Sequence, residues 1–419
     1  MDLRKPVAVA LAALTAVGLA ACGSDETPAV EGGPVTITVA APAGTWQETL
    51  GDAFHEAYPD VTVEFTDLAA GGAADALGSA DVVSVADLSQ LAGWINDKKV
   101  LDVTDIASTV TAPSVTAYAV SATDASGNTT QTAYGVPYAQ DPYLLFYNAD
   151  LFTKAGVAAP DGKWLWSTYV TAATTLTDKL KSSGVTGTAL GAGAAAGPGF
   201  AYAQAGTADL MGGTDYTFLK TAYTTIAGLV TAGAVPADAS TTPADLFTSG
   251  KAAMVLAPAS LALDLAGSAS FTWGLAPVPQ RDNLTTGYDK TPVTMGDPVG
   301  FVIPSAIDPA HLDGAKQWLT FISSETAAIL LAGEGVVPAI AGDGESNAYW
   351  SHDGLPTDTL SEFAFLTRTT NPVTPLDAKA ADVWQAINDT TAQIVADGNA
   401  DDIDSAITDL TDKIAKIVK

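Results

Sequence analysis

The stretch Ala133–Gly156, AYGVPYAQDPYLLFYNADLFTKAG, constrains the fold of this chain more than any other. It runs apolar and aromatic, breaks at Asp141-Pro142, and resumes as an apolar run ending in NADLF. It reads as a strand that leaves one domain, crosses a hinge and enters a second. A crossing of that kind creates a cleft, and interdomain clefts are where small ligands sit. The length of 419 residues supports two or more domains. With 47% hydrophobic and 16% charged residues, the chain has the composition of a packed globular protein.

The N-terminus reads as a targeting segment. Arg4 and Lys5 precede an apolar run from Val7 to Leu19, too short to span a bilayer, and small residues lead into Cys22. A secretory signal that ends in small residues directly before cysteine resembles a bacterial lipoprotein signal. The resemblance implies a signal peptide over 1–21, cleavage before Cys22 and lipid on its sulfur. Cys22 is the only cysteine, so it has no internal disulfide partner. The alternative is a plain secretory signal. Residues 22–34 follow as a polar, Gly/Pro-rich stretch, read as a flexible tether.

The formal net charge is −29, and losing Asp2, Arg4 and Lys5 with the signal makes it one unit more negative. That balance disfavours nucleic acid and direct adsorption to anionic lipid. The signal and tether therefore point to an exported protein held at the extracytoplasmic face of the membrane by its lipid anchor.

Strand and helix patterns alternate along the remainder. VTITVAA (Val35–Ala41), a helix from Trp46 to Tyr58 stopped by Pro59, and VTVEF (Val61–Phe65) form a βαβ unit. DVVSV (Asp81–Val85) reads as a buried strand, Leu88–Asn96 as a helix, and LDVTDI (Leu101–Ile106) as a surface segment. Tyr118–Tyr138 reads as a hairpin turning at Ser126-Gly127-Asn128. Beyond the opening stretch come helices over Ser167–Lys181, Phe218–Ala232, His311–Phe321, Glu325–Ala332, Asp382–Ala396 and Ile403–Val418. Strands are expected at Thr186–Leu190, Ala252–Leu256, Thr272–Ala276 and Val299–Ile303. The alternation argues an α/β architecture with parallel sheets.

Four stretches in order resemble the family 1 extracellular solute-binding proteins of ATP-driven importers, the group that includes maltose-binding protein. They are YGVPYAQDPYLLFYNADLFTKAGV, LFTSGKAAMVL (Leu246–Leu256), WGLAPVP (Trp273–Pro279), and the run from GFVIP (Gly300–Pro304) through DGAKQWLTFISSETAAILLAGEGVVP. Two stretches depart from the family pattern, the short GGAADALGSADVV (Gly71–Val83) and KWLWSTYV (Lys163–Val170). The resemblance implies a two-lobed, periplasmic-binding-protein-like α/β fold. Two mainly parallel sheets flanked by helices would be joined by three hinge crossings. Lobe one would be 35–140 plus 299–340, and lobe two 141–297 plus 345–419. The family's function would be to bind a carbohydrate, a mono- or oligosaccharide, and deliver it as a monomer to the permease subunits of an ABC importer.

A sugar site needs aromatic faces for the apolar side of a pyranose ring, and carboxylates or amides for its hydroxyls. Aromatics and acids at strand ends are the candidates. Trp46 follows the first strand's loop and is a stacking candidate, or else packs the first helical turn. Tyr138, Asp141 and Tyr143 lie at the proposed hinge, with hinge packing and an Asp-Pro turn as the alternatives. Asp87 follows the strand DVVSV, where the family places polar contacts, unless it serves as a helix N-cap. Asp297 lies at the second crossing and Trp350 near the third. Trp273 and Trp384 belong to lobe two, and Trp384 matches a position where relatives often stack a ring, or else packs in the helix core. Trp94 and Trp318 read as core residues. Outside the signal only Arg281 and Arg368 remain, which favours a neutral ligand over an oxyanion.

Several chemistries are declined. GAGAAAGPG (Gly191–Gly199) has a dinucleotide-like glycine pattern, but Pro198 is expected to interrupt the helix that such a loop must open. DGNADDID (Asp397–Asp404) lacks the glycine and glutamate of a calcium loop. His55, His311 and His352 are isolated, which argues against a metal site. No nucleophile motif is present, so no catalytic residue and no cofactor are expected. The competing readings are the same fold holding a polyamine, an iron complex or an anion, and a secreted glycoside-acting enzyme with paired carboxylates.

Overall fold

The computed structural model describes residues 33–419 except 69–71, 125, 191–196, 206–208, 213, 237–240, 283–291, 341–347, 367–368 and 398–401. Cys22, Arg368 and most of the declined glycine and calcium loops lie outside the described residues.

The βαβ unit forms as read. Strand β1 (Val35–Ala41) pairs in parallel with β2 (Val61–Asp67), from Val35 opposite Val61 to Ala41 opposite Asp67, with helix α1 (Trp46–Ala57) between them. Their β-branched runs suit a pleated surface covered by a helix. Helix α2 (Ala73–Ala76) leads to β3 (Val82–Val85), buried along its whole length, and α3 (Leu88–Asn96) follows. LDVTDI is not wholly a surface segment. Helix α4 (Thr104–Ala107) forms there with Asp102 accepting from the Thr104 N–H, and Val103 and Ile106 are buried. The expected hairpin is shorter than read. Strands β4 (Ala119–Thr123) and β5 (Thr129–Ala133) pair antiparallel, while β6 (Val136–Gln140) turns away into the main sheet. Every residue of β6 is buried, and a strand covered on both faces reads as a continuous apolar run.

The chain then crosses at Asp141-Pro142 into β7 (Tyr143–Asn148), the middle strand of a second sheet. Helix α5 (Ala149–Ala155) starts with Asn148 accepting from the Leu151 N–H. It ends at Gly156 with φ of 58°, the left-handed stop that glycine adopts without strain. Helices α6 (Trp166–Leu180), α7 (Pro198–Ala205), α8 (Leu219–Thr231) and α9 (Pro243–Thr248) precede β8 (Met254–Pro258). Pro198 does not break a helix as expected. It opens α7, where a missing N–H costs nothing. Helix α10 (Leu261–Ser268) and β9 (Trp273–Ala276) follow. Thr186 and Ala189, expected in a strand, make isolated parallel bridges to Ala252 and Val255 beside β8.

Strand β10 (Val293–Met295) leads back to β11 (Pro298–Val302) in the first sheet, then α11 (Leu312–Ile322) and α12 (Glu325–Gly333). A short helical segment at 348–350 and α13 (Thr359–Leu366) come next. Strand β12 (Thr369–Asn371) pairs with β10, and α14 (Ala380–Asp397) and α15 (Ile403–Ile417) close the chain.

Among the described residues the two larger sheets have the orders β2-β1-β3-β11-β6 and β8-β7-β9, beside the two-stranded pairs β4-β5 and β10-β12. The sheets are mixed rather than mainly parallel as expected: β1 pairs in parallel with β2 and β3, and every ladder of the second sheet is antiparallel. β11 runs against β3 and β6, and β7 runs against β8 and β9. The reversed strands are the two that receive the chain from a crossing. Passing straight from one lobe to the other leaves no room for the crossover helix that parallel entry needs. Gly300 shows how tightly β11 is inserted. A Cβ there would lie 2.5 Å from the Tyr118 ring and 2.6 Å from the Val136 carbonyl, while the Tyr118 hydroxyl reaches the carbonyls of Val85 and Pro298 at 3.0 Å each. Trp94 and Trp318 are buried, as read.

Candidate functional site

The first two crossings lie against each other. The Gln140 side-chain amide donates to the Gly296 carbonyl at 2.9 Å, and Gln140 itself pairs with Pro298. A Cβ on Gly296 would stand 2.9 Å from the Asp141 carbonyl oxygen and 3.1 Å from the Pro142 Cα, so glycine is what lets the two segments pass. Thr294 donates its hydroxyl to the Tyr143 carbonyl at 2.6 Å, and the Ala259 N–H donates to the Pro142 carbonyl at 2.8 Å.

Both acids predicted at the crossings have defined work. Asp297 accepts from the Val373 N–H at 2.6 Å, the Thr374 N–H at 3.0 Å and the Thr374 hydroxyl at 2.5 Å. Charge-assisted bonds of this kind are the strong ones. They fasten the second crossing to the segment whose Val373 carbonyl receives the Trp384 indole N–H at 3.0 Å. Asp141 accepts from the Ser260 N–H at 3.1 Å, at the start of α10.

Beside these acids stands a wall of rings. Tyr143, half-buried, meets Phe200 edge-on with centroids 5.8 Å apart. Tyr202 meets Trp384 at 6.2 Å and Phe218 at 5.9 Å. Burial holds the Tyr143 phenol above its ordinary pKa, and the negative charges of Asp141 and Asp297 push the same way. The Tyr202 phenol is raised by burial, by Asp209 and by Asp297. Both phenols are neutral O–H donors at physiological pH, with carboxylates near them. Phe200 and Trp384 are buried and back the wall, while the half-buried rings of Tyr143, Tyr202 and Phe218 next to the carboxylates can stack on the carbon face of a polyol and take its hydroxyl hydrogen bonds.

Four of the predicted site residues, Asp141, Tyr143, Asp297 and Trp384, therefore belong to one neighbourhood. Trp46 and Tyr138 pack in the core of the first lobe instead. Trp46 is 5% exposed and lies 5.7 Å from Phe65 and 5.9 Å from Tyr138. Tyr138 stacks on Phe301 at 4.6 Å with its hydroxyl 3.2 Å from Ser84, and burial pushes its pKa to about 12. Their ring faces are spent on neighbours, because helix α1 and strand β6 both turn these side chains inward. Asp87 is exposed and N-caps α3, accepting from the N–H groups of Ser89 and Gln90. Trp273 sits opposite Asn148, at the end of β7 remote from Tyr143, and stacks on Phe146 at 6.1 Å. Five residues of strand separate the two ends, about 17 Å. Trp350 is half-buried against the apolar cluster of β8 and α10.

Sequence reading missed Phe200, Tyr202 and Phe218. Phe200 and Tyr202 lie in GFAYAQ, directly after the glycine-rich loop, and no local pattern there marks them as site residues. Among the described residues no group of His, Cys, Asp and Glu is arranged to hold a metal, and no helix is long and apolar enough to cross a membrane.

Known proteins place this architecture. Residues 39–329, more than half of the chain, match the family model of the bacterial extracellular solute-binding proteins. No curated protein sequence matches the chain. Among solved structures, a sugar transporter from Rhizobium etli in an open conformation has a TM-score of 0.77 at 21% identity, covering 91% of this chain and 99% of its own. A substrate-binding protein from Listeria monocytogenes in complex with cycloalternan has a TM-score of 0.70 at 19% identity, covering 91% and 98%. UgpB from Mycobacterium tuberculosis in complex with glycerophosphocholine has a TM-score of 0.68 at 18% identity, covering 91% and 98%. The likeness to these structures is one of fold, a two-lobed α/β architecture, and together with the family match it means that this chain belongs to the bacterial extracellular solute-binding proteins.

Proposed function

We propose that this protein is the lipid-anchored substrate-binding component of an ABC importer. It takes a carbohydrate between its lobes and delivers it to the membrane permease. The observation that carries this reading is the pair of half-buried rings Tyr143 and Tyr202, backed by the buried Phe200 and Trp384, beside Asp141 and Asp297 where two crossings meet. Lobes bounded at 35–140 plus 299–340 and 141–297 plus 345–419 would close about those crossings. Several similar folds have been solved as sugar or polyol binders, including the cycloalternan complex from Listeria and a D-mannitol complex from Agrobacterium vitis. The signal over 1–21, lipidation of Cys22 and the 22–34 tether would keep a monomer at the outer face of the membrane. No reaction is required of it, and we assign no catalytic residue or cofactor.

Calorimetric titration of the mature chain with a panel of mono- and oligosaccharides tests the reading. At least one saccharide is expected to bind. A panel without heat, together with binding of a polyamine or an inorganic anion, would overturn it. One second reading has support. Carboxylates facing aromatic rings also suit a cation held by ring faces, and one similar fold was solved with a choline-containing ligand. Heat with spermidine or choline and none with sugars would select it.

A further inference from the structure

A cavity of about 600 Å3, open to solvent, lies within lobe two beside α7. That volume is in the range of small-ligand pockets. Helix α7 runs between the cavity and part of the ring wall, and the two adjoin at Phe218, which lines the cavity and meets Tyr202 at 5.9 Å. Phe200 and Tyr202 meet Tyr143 and Trp384, whereas Ala201, Gln204 and Ala205 line the cavity. Among the described residues none of the first sheet or of the crossings lines it.

Its wall is chemically specific. Trp166 and Phe218 contribute aromatic surface. Trp166 is held by its indole N–H donating to the Gln204 side chain at 3.2 Å, and Gln204 in turn donates to the Pro279 carbonyl at 2.9 Å. Thr217, just before α8, and Thr221 and Thr225 on α8 line the cavity at four-residue spacing. Elsewhere helical threonines here donate to the carbonyl four residues back, as Thr171, Thr175, Thr391 and Thr411 do. Thr221 and Thr225 make no such bond among the described residues. Arg281 lines the same space without an ion pair among the described residues, although Asp209, Asp215 and Asp282 line it too. Those acids are engaged locally, accepting from the N–H groups of Met211, Thr217 and Ser167.

We infer that this cavity is a second ligand site, independent of lobe closure, for an uncharged polyhydroxylated molecule of monosaccharide size. Two rings offer a face for ring carbons. Threonine hydroxyls and the guanidinium supply donors, and the carboxylate oxygens supply acceptors, which is the mixture that sugar hydroxyls match. Three acids against one arginine disfavour an anionic ligand.

The test is ligand-observed saturation-transfer NMR on the mature chain with D-glucose, D-galactose, D-mannose and D-mannitol as probes. Four proteins are compared: wild type, Tyr143→Ala to impair the interlobe site, Thr221→Trp to fill the cavity, and Arg281→Ala as a milder change. At least one hexose or hexitol signal is expected to survive Tyr143→Ala and to fall at least fivefold in both Thr221→Trp and Arg281→Ala. If every signal disappears with Tyr143→Ala, if none responds to the cavity variants, or if no probe gives a signal, the second site does not exist. A cavity-dependent signal with no Tyr143-dependent binding would sink the interlobe sugar reading and leave this one standing.

Discussion

Replacing Asp297 with alanine tests whether the second crossing is fastened to the ligand wall. The carboxylate takes three hydrogen bonds from Val373 and Thr374, at 2.5 to 3.0 Å. A bond to a charged acceptor contributes about 1.5–3 kcal/mol. The three share one carboxylate that is half-buried, so water can replace part of them and the contributions do not add. A loss of about 3 kcal/mol is the working figure. Unfolding entropy scales at about 2.1 cal/mol/K per residue, so the unit from Pro34 to Lys419 carries about 0.8 kcal/mol/K. The midpoint of thermal unfolding should therefore fall by about 4 °C, measured by scanning calorimetry at pH 7. Asp297→Asn keeps one acceptor and should fall about half as far. Affinity for the bound solute should drop in parallel, because the segment released also receives the Trp384 indole N–H. A midpoint for Asp297→Ala within 1 °C of wild type would refute the reasoning.

Three further outcomes follow from the same geometry. Gly300→Ala drives a methyl group into the Tyr118 ring and the Val136 carbonyl and should destabilise by about 3 kcal/mol or more, whereas Gly93→Ala meets open space inside α3 and should stabilise by up to about 1 kcal/mol. Urea titrations that ranked the two the other way round would contradict the packing of β11. Stability should also decline in alkali. The folded pKa of Tyr138 is raised to about 12 from 10.0, so its contribution is complete below pH 10 and is lost as pH rises toward 12. The loss amounts to about 3 kcal/mol, and Tyr138→Phe should make that limb shallower, the buried Tyr118, Tyr169 and Tyr223 supplying the rest. In acid the sign reverses. The Glu334 pKa is lowered from 4.5 by hydrogen bonds from Thr45 and Thr49 and by the charge of His352, so stability present above that value should fall as pH drops through the lower folded value. Glu334→Gln should remove that acid dependence, and an unaltered acid limb would contradict it.

The crossing at Asp141-Pro142, the βαβ unit and most helices could be read from the chain, because each is written in local signals. β-branched runs mark strands, Pro59 stops α1, and Gly156 ends α5. The site was read less well, for two physical reasons. A ring at a strand end can face either side, and one step of parity decides it. Tyr138 on β6 went to the core, while Tyr143, just past the bend, faces the ring wall. Strand direction was the second obstacle. Trp273 begins β9, but β9 runs against β7, so its first residue lies at the far end of the sheet. Tyr202 was invisible for a different reason. Its position follows from the way α7 packs against α8 and α14, which no local pattern in GPGFAYAQ encodes.

The central claim is that a saccharide is held by the rings beside the crossings. The measurement that tests it most directly is the dissociation constant of the best-binding saccharide for wild type and for Tyr202→Ala. Losing one stacked ring and its hydroxyl should weaken binding at least tenfold, about 1.4 kcal/mol, while the unfolding midpoint stays near wild type. A Tyr202→Ala protein that binds the same saccharide with unchanged affinity would contradict the account.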